Sequence, residues 1–280
     1  MKKISDINGK WKLHNGVEMP YLGLGVYKAD DGKEVINAIN WALDAGYRHI
    51  DTAAFYDNEE GVGKAINKSS IPRGEIFVTS KVWNDDQGYE KTIAAFDKTM
   101  EKLNLDYLDL YLVHWPIKGK FKETWRALED LYNQGKIKAI GVSNFLQHHL
   151  EDLMQDATIA PMVNQMEFHP WLVQKELQDF CKKNKIQYEA WSPLGQGNVF
   201  KNPTLKAIAD VRVCLLVDEA RLKEARRVRK RARDVVRDEA LVHAPVLTDG
   251  EGEHARVDRF AAIPDGGVEA ALGHEVAPWS

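Results

Sequence analysis

Residues 46–63 read GYRHIDTAAFYDNEEGVG, and the segment carries two changes of local structure. Upstream, Val35, Ile39, Ala42 and Leu43 recur at helical spacing, and Gly46 follows where a left-handed C-cap residue would end that helix. YRHID then reads as a short buried strand, and 57–67 as the next helix. Helix, strand, helix is the repeat of a parallel sheet, because a parallel partner needs a crossover long enough to return along the sheet.

The same alternation continues in both directions. LGLGVY at 22–27 precedes it as a strand, and WKLHNGVEMP at 11–20 predicts an opening hairpin, with Asn15-Gly16 as a two-residue type I′ turn. Downstream, strand-like IFVTSK is followed by a helical face of Ile93, Phe96, Met100 and Leu103, and YLDLYLVHW by one of Trp125, Leu128, Leu131 and Tyr132. IKAIGVSNF, PMVNQMEFHP, a helix near 174–184 and IQYEAWSP complete seven strand-like stretches. LGLGVY lacks the G-x-G-x-x-G spacing of a dinucleotide-binding doubly wound sheet. The expected architecture is therefore α/β, a (β/α)8 TIM barrel whose functional groups gather at the C-terminal ends of the strands.

Composition narrows the class. With 44% hydrophobic and 29% charged residues in 280, and a net charge of -4, the chain can bury a core and is neither collagen-like nor low-complexity. No window reaches the roughly 18 to 20 uninterrupted apolar residues of a membrane-spanning helix, and MKKISDINGKWK lacks a signal-peptide core, so the expectation is a cytoplasmic protein without a membrane partner. Two cysteines, Cys181 and Cys214, make neither a disulfide framework nor a four-cysteine metal site. The alphabet changes near residue 210: the first 210 residues hold 23 Lys, 3 Arg and 14 Asn, the last 70 hold 2 Lys, 10 Arg and no Asn. The chain divides accordingly into 1–210 and an Arg/Ala/Val-rich tail, 211–280, a fusion or a frameshifted reading.

Taken in order, the strand ends are Asp51, Lys81, His114, Ser143-Asn144, Gln165 and Trp191-Ser192. A barrel makes these converge, and Tyr56, five residues past Asp51, can lean over the same mouth. Tyr, Lys, Asp and His together suit carbonyl reduction, in which hydride addition places negative charge on oxygen and a nearby acid must protonate it. Tyr56 is the candidate acid. Lys81 would favour its phenolate and bring its pKa down, Asp51 would hold Lys81, and a neutral His114 would orient the substrate oxygen. Singly each of these residues is more often a solvated charge or a packing group; jointly they are not. Ser143-Asn144 can also N-cap the helix in FLQHHLEDL. His148, His149 and Glu151, neighbours on one helix, do not converge on an ion, and no metal is expected.

Through GYRHIDTAAFYDNEEGVG, TSKVW, LDLYLVHWP, IKAIGVSNF, NQMEFHP and EAWSPLGQG, residues 10–210 resemble the aldo-keto reductase family, in particular its bacterial diketogluconate and glyoxal reductase branch. The resemblance implies NADPH-dependent reduction of a small-molecule aldehyde or ketone by a monomer, with Tyr56 as proton donor and Lys81, Asp51 and His114 completing a tetrad. It further implies that Ser143, Asn144 and Gln165 bond the nicotinamide carboxamide and that Trp191 stacks on the ring. Ser192, Leu194 and Gln196 would form the loop over the pyrophosphate, and Gly25, Val26 and Tyr27 would flank the nicotinamide ribose. Tyr27, Trp83, His114 and Trp115 would wall the substrate pocket.

NPTLKAIAD at 202–210 resembles the start of the family's seventh helix, after which the remainder of that helix, the eighth strand with its 2′-phosphate contacts and the last helix are replaced by unrelated sequence. Missing an eighth strand, the barrel would expose two sheet edges. VRVCLLVD at 211–218 could add an extended strand and RLKEARRVRKRARDVVR at 221–237 a helix over it, a replacement the reading weighs against, and 244–280 is expected to be loop-rich. Two alternatives stand beside the reductase: an inactive truncated barrel, and nucleic-acid binding through the nine basic residues of 221–237.

Overall fold

The computed structural model describes residues 9–216 and 241–245, with side chains described from 9 to 209. A hairpin of β1 (Lys10–Lys12) and β2 (Glu18–Pro20) comes first. Seven strands follow: β3 (Gly23–Gly25), β4 (His49–Asp51), β5 (Phe77–Val82), β6 (Leu110–Val113), β7 (Ile140–Ser143), β8 (Val163–Glu167) and β9 (Gln187–Trp191). Each pairs in parallel with the next. The crossovers carry α1 (Lys33–Asp44), α2 (Glu59–Lys68), α3 (Tyr89–Leu103), α4 (Phe121–Asn133), α5 (Gln147–Asp156) and α6 (Lys175–Lys183). This is the expected parallel barrel.

The break in each crossover has a local cause. After α1, Gly46 takes φ 97°, its N–H bonds Leu43 O and that of Tyr47 bonds Ala42 O, the paired bonds of a Schellman motif. The hairpin forms where expected but with a different turn. Asn15 keeps a negative φ and only Gly16 is positive, so the loop is the three residues His14 to Gly16, closed by Leu13 N–H to Val17 O at 2.8 Å. Its buried Leu13 and Met19 cover the N-terminal end of the barrel. Asn15 donates to Lys138 O, just ahead of β7, at 3.0 Å.

Apolar packing lies between the strands and the helices, where Trp125, Phe96, Tyr111, Leu128 and Leu131 are almost wholly buried. Inside the barrel the pattern inverts. His49, Asp51, Lys81, Gln165 and Glu189 are buried there, a costly set to remove from water unless the groups satisfy one another.

Two readings of the tail change. Helix α7 (Pro203–Leu216) runs across the compositional break, so Val211 to Leu216 are helical and not extended. Val, Leu and Cys fit a buried strand and a buried helix alike, and a short apolar run does not separate the two. The sheet edges left by β3 and β9 are both paired: β10 (Leu241–Pro245) lies antiparallel between them and closes the barrel. Ala244 and Pro245, expected in loop, therefore belong to a strand. The basic segment 221–237 and residues 246–280 lie outside the described residues. Among the described residues no helix is long and apolar enough to cross a membrane.

Candidate active site

Asp51, Ser143 and Trp191 end β4, β7 and β9, Lys81 is the penultimate residue of β5, and His114 directly follows β6. Parallel strands in register bring these ends to one mouth. Lys81 is at the centre, its side chain almost wholly buried. Its ammonium donates to the Asp51 carboxylate, to Thr52 O at 2.9 Å and to the Tyr56 hydroxyl at 3.3 Å. Three N–H groups thus meet three acceptors. Burial by itself would strip the charge from Lys81, but Asp51 and Tyr56 outweigh it and push its pKa up, so the group is an ammonium.

Tyr56 closes a short 3-10 turn (Ala54–Tyr56), and Asp57 after it takes a left-handed φ of 52°. The expected lowering of its pKa is not the net result. Burial raises the phenol above its usual range, Lys81 pulls it down, and Asp51 and Tyr27 add to the rise. Desolvation of the phenolate outweighs one ammonium that is already shared with a carboxylate. His114 behaves as expected: burial, then Lys81, brings its pKa down to about 3, and the imidazole is neutral. Its Nδ1 has no hydrogen-bond partner among the described residues.

Aromatic rings wall the mouth. Tyr27 lies 5.0 Å from Tyr56 between ring centroids, and Trp83 and Tyr56 lie edge-on to His114 at 5.1 and 5.8 Å. Phe55, which the sequence reading passed over, stacks on Trp83 at 3.8 Å. Trp115 is not brought into this group. It is 42% exposed and makes no ring contact among the described residues, while its carbonyl accepts from Gln87 Nε2 at 2.7 Å.

Opposite lie the groups expected to meet a nicotinamide. Ser143 Oγ donates to Gln165 O at 3.0 Å and accepts from Asn144 Nδ2 at 3.1 Å. Asn144 also donates to His114 O and accepts from Trp191 Nε1, both at 3.0 Å, so it braces the Trp191 ring and does not cap α5, whose N-cap is Leu146. Gln165 Nε2 donates to Asp51 Oδ2 at 2.9 Å and to Glu189 Oε2 at 3.0 Å. With these bonds made, what Ser143, Asn144 and Gln165 have left is acceptor capacity, which fits the N–H groups of a carboxamide. Gly25 and Val26 are buried at the end of β3 beside Tyr27, and Leu194 lies in the loop after β9. Asn144, Ser192 and Gln196 all hold left-handed φ values of 51 to 63°, a conformation non-glycine residues rarely take and one concentrated at binding sites.

Ligand atoms of His49, Asp51 and Glu189 come within 4.8 Å of one another. Lys81 and Gln165 already bond the two carboxyl groups, and an ammonium on Asp51 opposes a second cation. The His148 and His149 rings lie tilted against each other at 3.9 Å on α5, where His149 packs against Phe145.

Known proteins resemble this chain in sequence and in fold. The description "Aldo/keto reductase family" matches residues 21–237, running past the break at 210. The chain is 63% identical over 199 residues to a glyoxal reductase of Bacillus subtilis (strain 168), covering 71% of this chain and 72% of the relative. Among solved structures, an aldo/keto reductase from Brucella melitensis is 51% identical with TM-score 0.69, covering 72% of this chain and 78% of that one. An aldo-keto reductase of Bombyx mori in complex with NADP is 34% identical with TM-score 0.63, covering 67% of each chain.

Proposed function

The chain belongs to the aldo/keto reductase family, and from that premise we propose that it reduces a small aldehyde or ketone to the alcohol with NADPH, using Tyr56 as the proton donor. One observation carries the assignment of the acid. Lys81 donates to the Tyr56 oxygen, so that oxygen is an acceptor on its inner side and its own O–H is left to donate towards the mouth.

When bound, NADPH supplies a hydride to the carbonyl carbon. The chain's residues manage the proton. Neutral His114, with one N–H to give, holds the carbonyl oxygen beside Tyr56. Tyr56 passes its phenolic proton to that oxygen as negative charge builds there, and the Lys81 ammonium, held by Asp51, stabilises the phenolate left behind. Burial keeps the phenol protonated at neutral pH and so loaded for reduction.

Ser143, Asn144 and Gln165 would hold the carboxamide, Trp191 would offer its braced ring to the nicotinamide, and Gly25, Val26 and Tyr27 would line the ribose side. Ser192, Leu194 and Gln196 would face the pyrophosphate. The Trp83–Phe55 stack beside His114 would present an aromatic wall suited to small, flat carbonyl compounds. The relative in Bacillus subtilis is named a glyoxal reductase, in keeping with such a substrate.

The test is titration of the purified protein with NADPH and with NADH, followed by quenching of tryptophan emission, then NADPH consumption with glyoxal-type, sugar and aromatic aldehydes. Preferential NADPH binding with turnover of the small dicarbonyls supports the proposal. Absence of binding by either nucleotide defeats it.

A further inference from the structure

Asn58 occupies the N-cap position of α2, where an asparagine ordinarily turns its side-chain oxygen onto a free N–H of the first turn. Here it makes no such bond. The residue is fully buried, and its amide turns back to the loops after β3 and β4. Nδ2 donates to Val26 O at 2.8 Å and to Ala29 O at 2.9 Å, and Oδ1 accepts from Thr52 Oγ1 at 2.7 Å. Carbonyl oxygens only accept, so the two bonds to Val26 and Ala29 determine which end of the amide faces which loop.

These partners belong to the machinery of the mouth. Val26 and Ala29 bracket Tyr27 in the loop after β3. Thr52 follows Asp51, and its carbonyl accepts one of the three N–H groups of Lys81. Tyr56 lies two residues before Asn58, across the left-handed Asp57. One side chain therefore ties together the loop of Tyr27, the strand end that holds Lys81 and the turn that presents Tyr56. The Tyr27 and Tyr56 rings stand 5.0 Å apart across it. Next in sequence, Glu59 extends the tie to β5, where Ser80 Oγ donates to its carboxyl at 2.7 Å beside Lys81.

We propose that Asn58 is a positioning residue for the reaction, setting Tyr56 against Lys81 and Tyr27 through its three side-chain hydrogen bonds in place of a helix cap. The inference rests on the reading of Tyr56 as proton donor, and its test separates the two. In the cofactor-free protein labelled with 13C-tyrosine, the Tyr56 resonance is the one lost in Tyr56→Phe. Asn58→Ala is expected to shift the Tyr27 and Tyr56 resonances and to move the Tyr56 ionisation down as water reaches the loosened turn. It should also lower kcat per folded molecule on the order of 100-fold, with KM for the carbonyl changed far less, since a misplaced reacting group costs rate before it costs binding.

Thr52→Val, nearly isosteric, removes only the hydroxyl that Asn58 accepts from and should move both readouts the same way by a smaller amount. It decides the matter alone if Asn58→Ala does not fold. A merely structural Asn58 would lower Tm and leave the Tyr56 titration and kcat per folded molecule within about twofold of wild type, far short of a positioning effect, and that result overturns the proposal. Retained turnover in Tyr56→Phe would instead overturn the proton-donor reading, while the tyrosine spectra still decide whether Asn58 positions the turn.

Discussion

Gln165 Nε2 donates to Asp51 Oδ2 at 2.9 Å across the inside of the barrel, between residues 114 apart in sequence. The same nitrogen bonds Glu189 Oε2 at 3.0 Å, so one amide group separates two buried carboxyl groups and connects the Lys81–Asp51 pair to the strand that ends in Trp191.

Gln165→Glu puts a third carboxyl group into that space. Loss of both donors and added like charge should destabilise the fold by about 3 kcal/mol at pH 7, read by urea unfolding. Crowding raises the pKa of the new carboxyl above its unfolded value, so the deficit should shrink as pH falls and the group takes up a proton. A variant as stable as wild type at pH 7 would show that the amide does not hold the carboxyl groups apart.

Tyr56→Phe removes the hydroxyl and keeps the ring. Carbonyl reduction should fall by roughly 10²- to 10⁴-fold, the usual worth of a placed proton donor. NADPH affinity, measured by fluorescence titration, should stay nearly unchanged. Equal loss of both would take Tyr56 out of its proposed role.

His114, with a folded pKa of about 3 against an ordinary 6.5, predicts a pH signature in stability. Above 6.5 the imidazole is neutral whether folded or unfolded and contributes no slope. Below it, the unfolded chain binds a proton that the folded site refuses, so stability is lost as pH falls towards 3, by at most about 1.4 kcal/mol per pH unit for one group. His114→Gln should flatten the stability profile between pH 6 and 4. Parallel profiles for the two proteins would mean that the imidazole is not held neutral.

Gly63→Ala tests the seam between α2 and α3. A Cβ built on Gly63 would sit 2.1 Å from Leu103 O and 2.6 Å from Leu103 C, backbone atoms that move only with their helix. We expect a loss of about 2 to 3 kcal/mol. Gly74→Ala, where a Cβ would meet nothing within 4 Å, should stay within about 0.5 kcal/mol of wild type. Tm values for the pair check both, and equal shifts would contradict the close approach.

Much of the site was legible because a parallel barrel gathers its strand ends. Once YRHID, IFVTSK and YLDLYLVHW are read as strands, Asp51, Lys81 and His114 converge by topology alone. Asn58 was hidden because an asparagine before two glutamates looks like a helix start, and only its direction, towards the loop of Tyr27 and away from α2, shows its use. Trp115, next to His114, reads as a pocket wall from its place in the sequence, and in the fold its ring is exposed and makes no ring contact among the described residues.

By itself the sequence determined the alternation of strands and helices, the parallel barrel they form and the strand-end residues gathered at its mouth, since hydrophobic period, caps and topology are local or follow from local order. Tertiary structure alone decided the net rise in the Tyr56 pKa, the alignment of Gln165 between two carboxyl groups, and the strand at Leu241–Pro245 that fills the gap between β3 and β9. Each depends on groups distant in sequence meeting where water is excluded. There, burial, charge and hydrogen bonding compete within a few ångströms, and no spacing along the chain records which prevails.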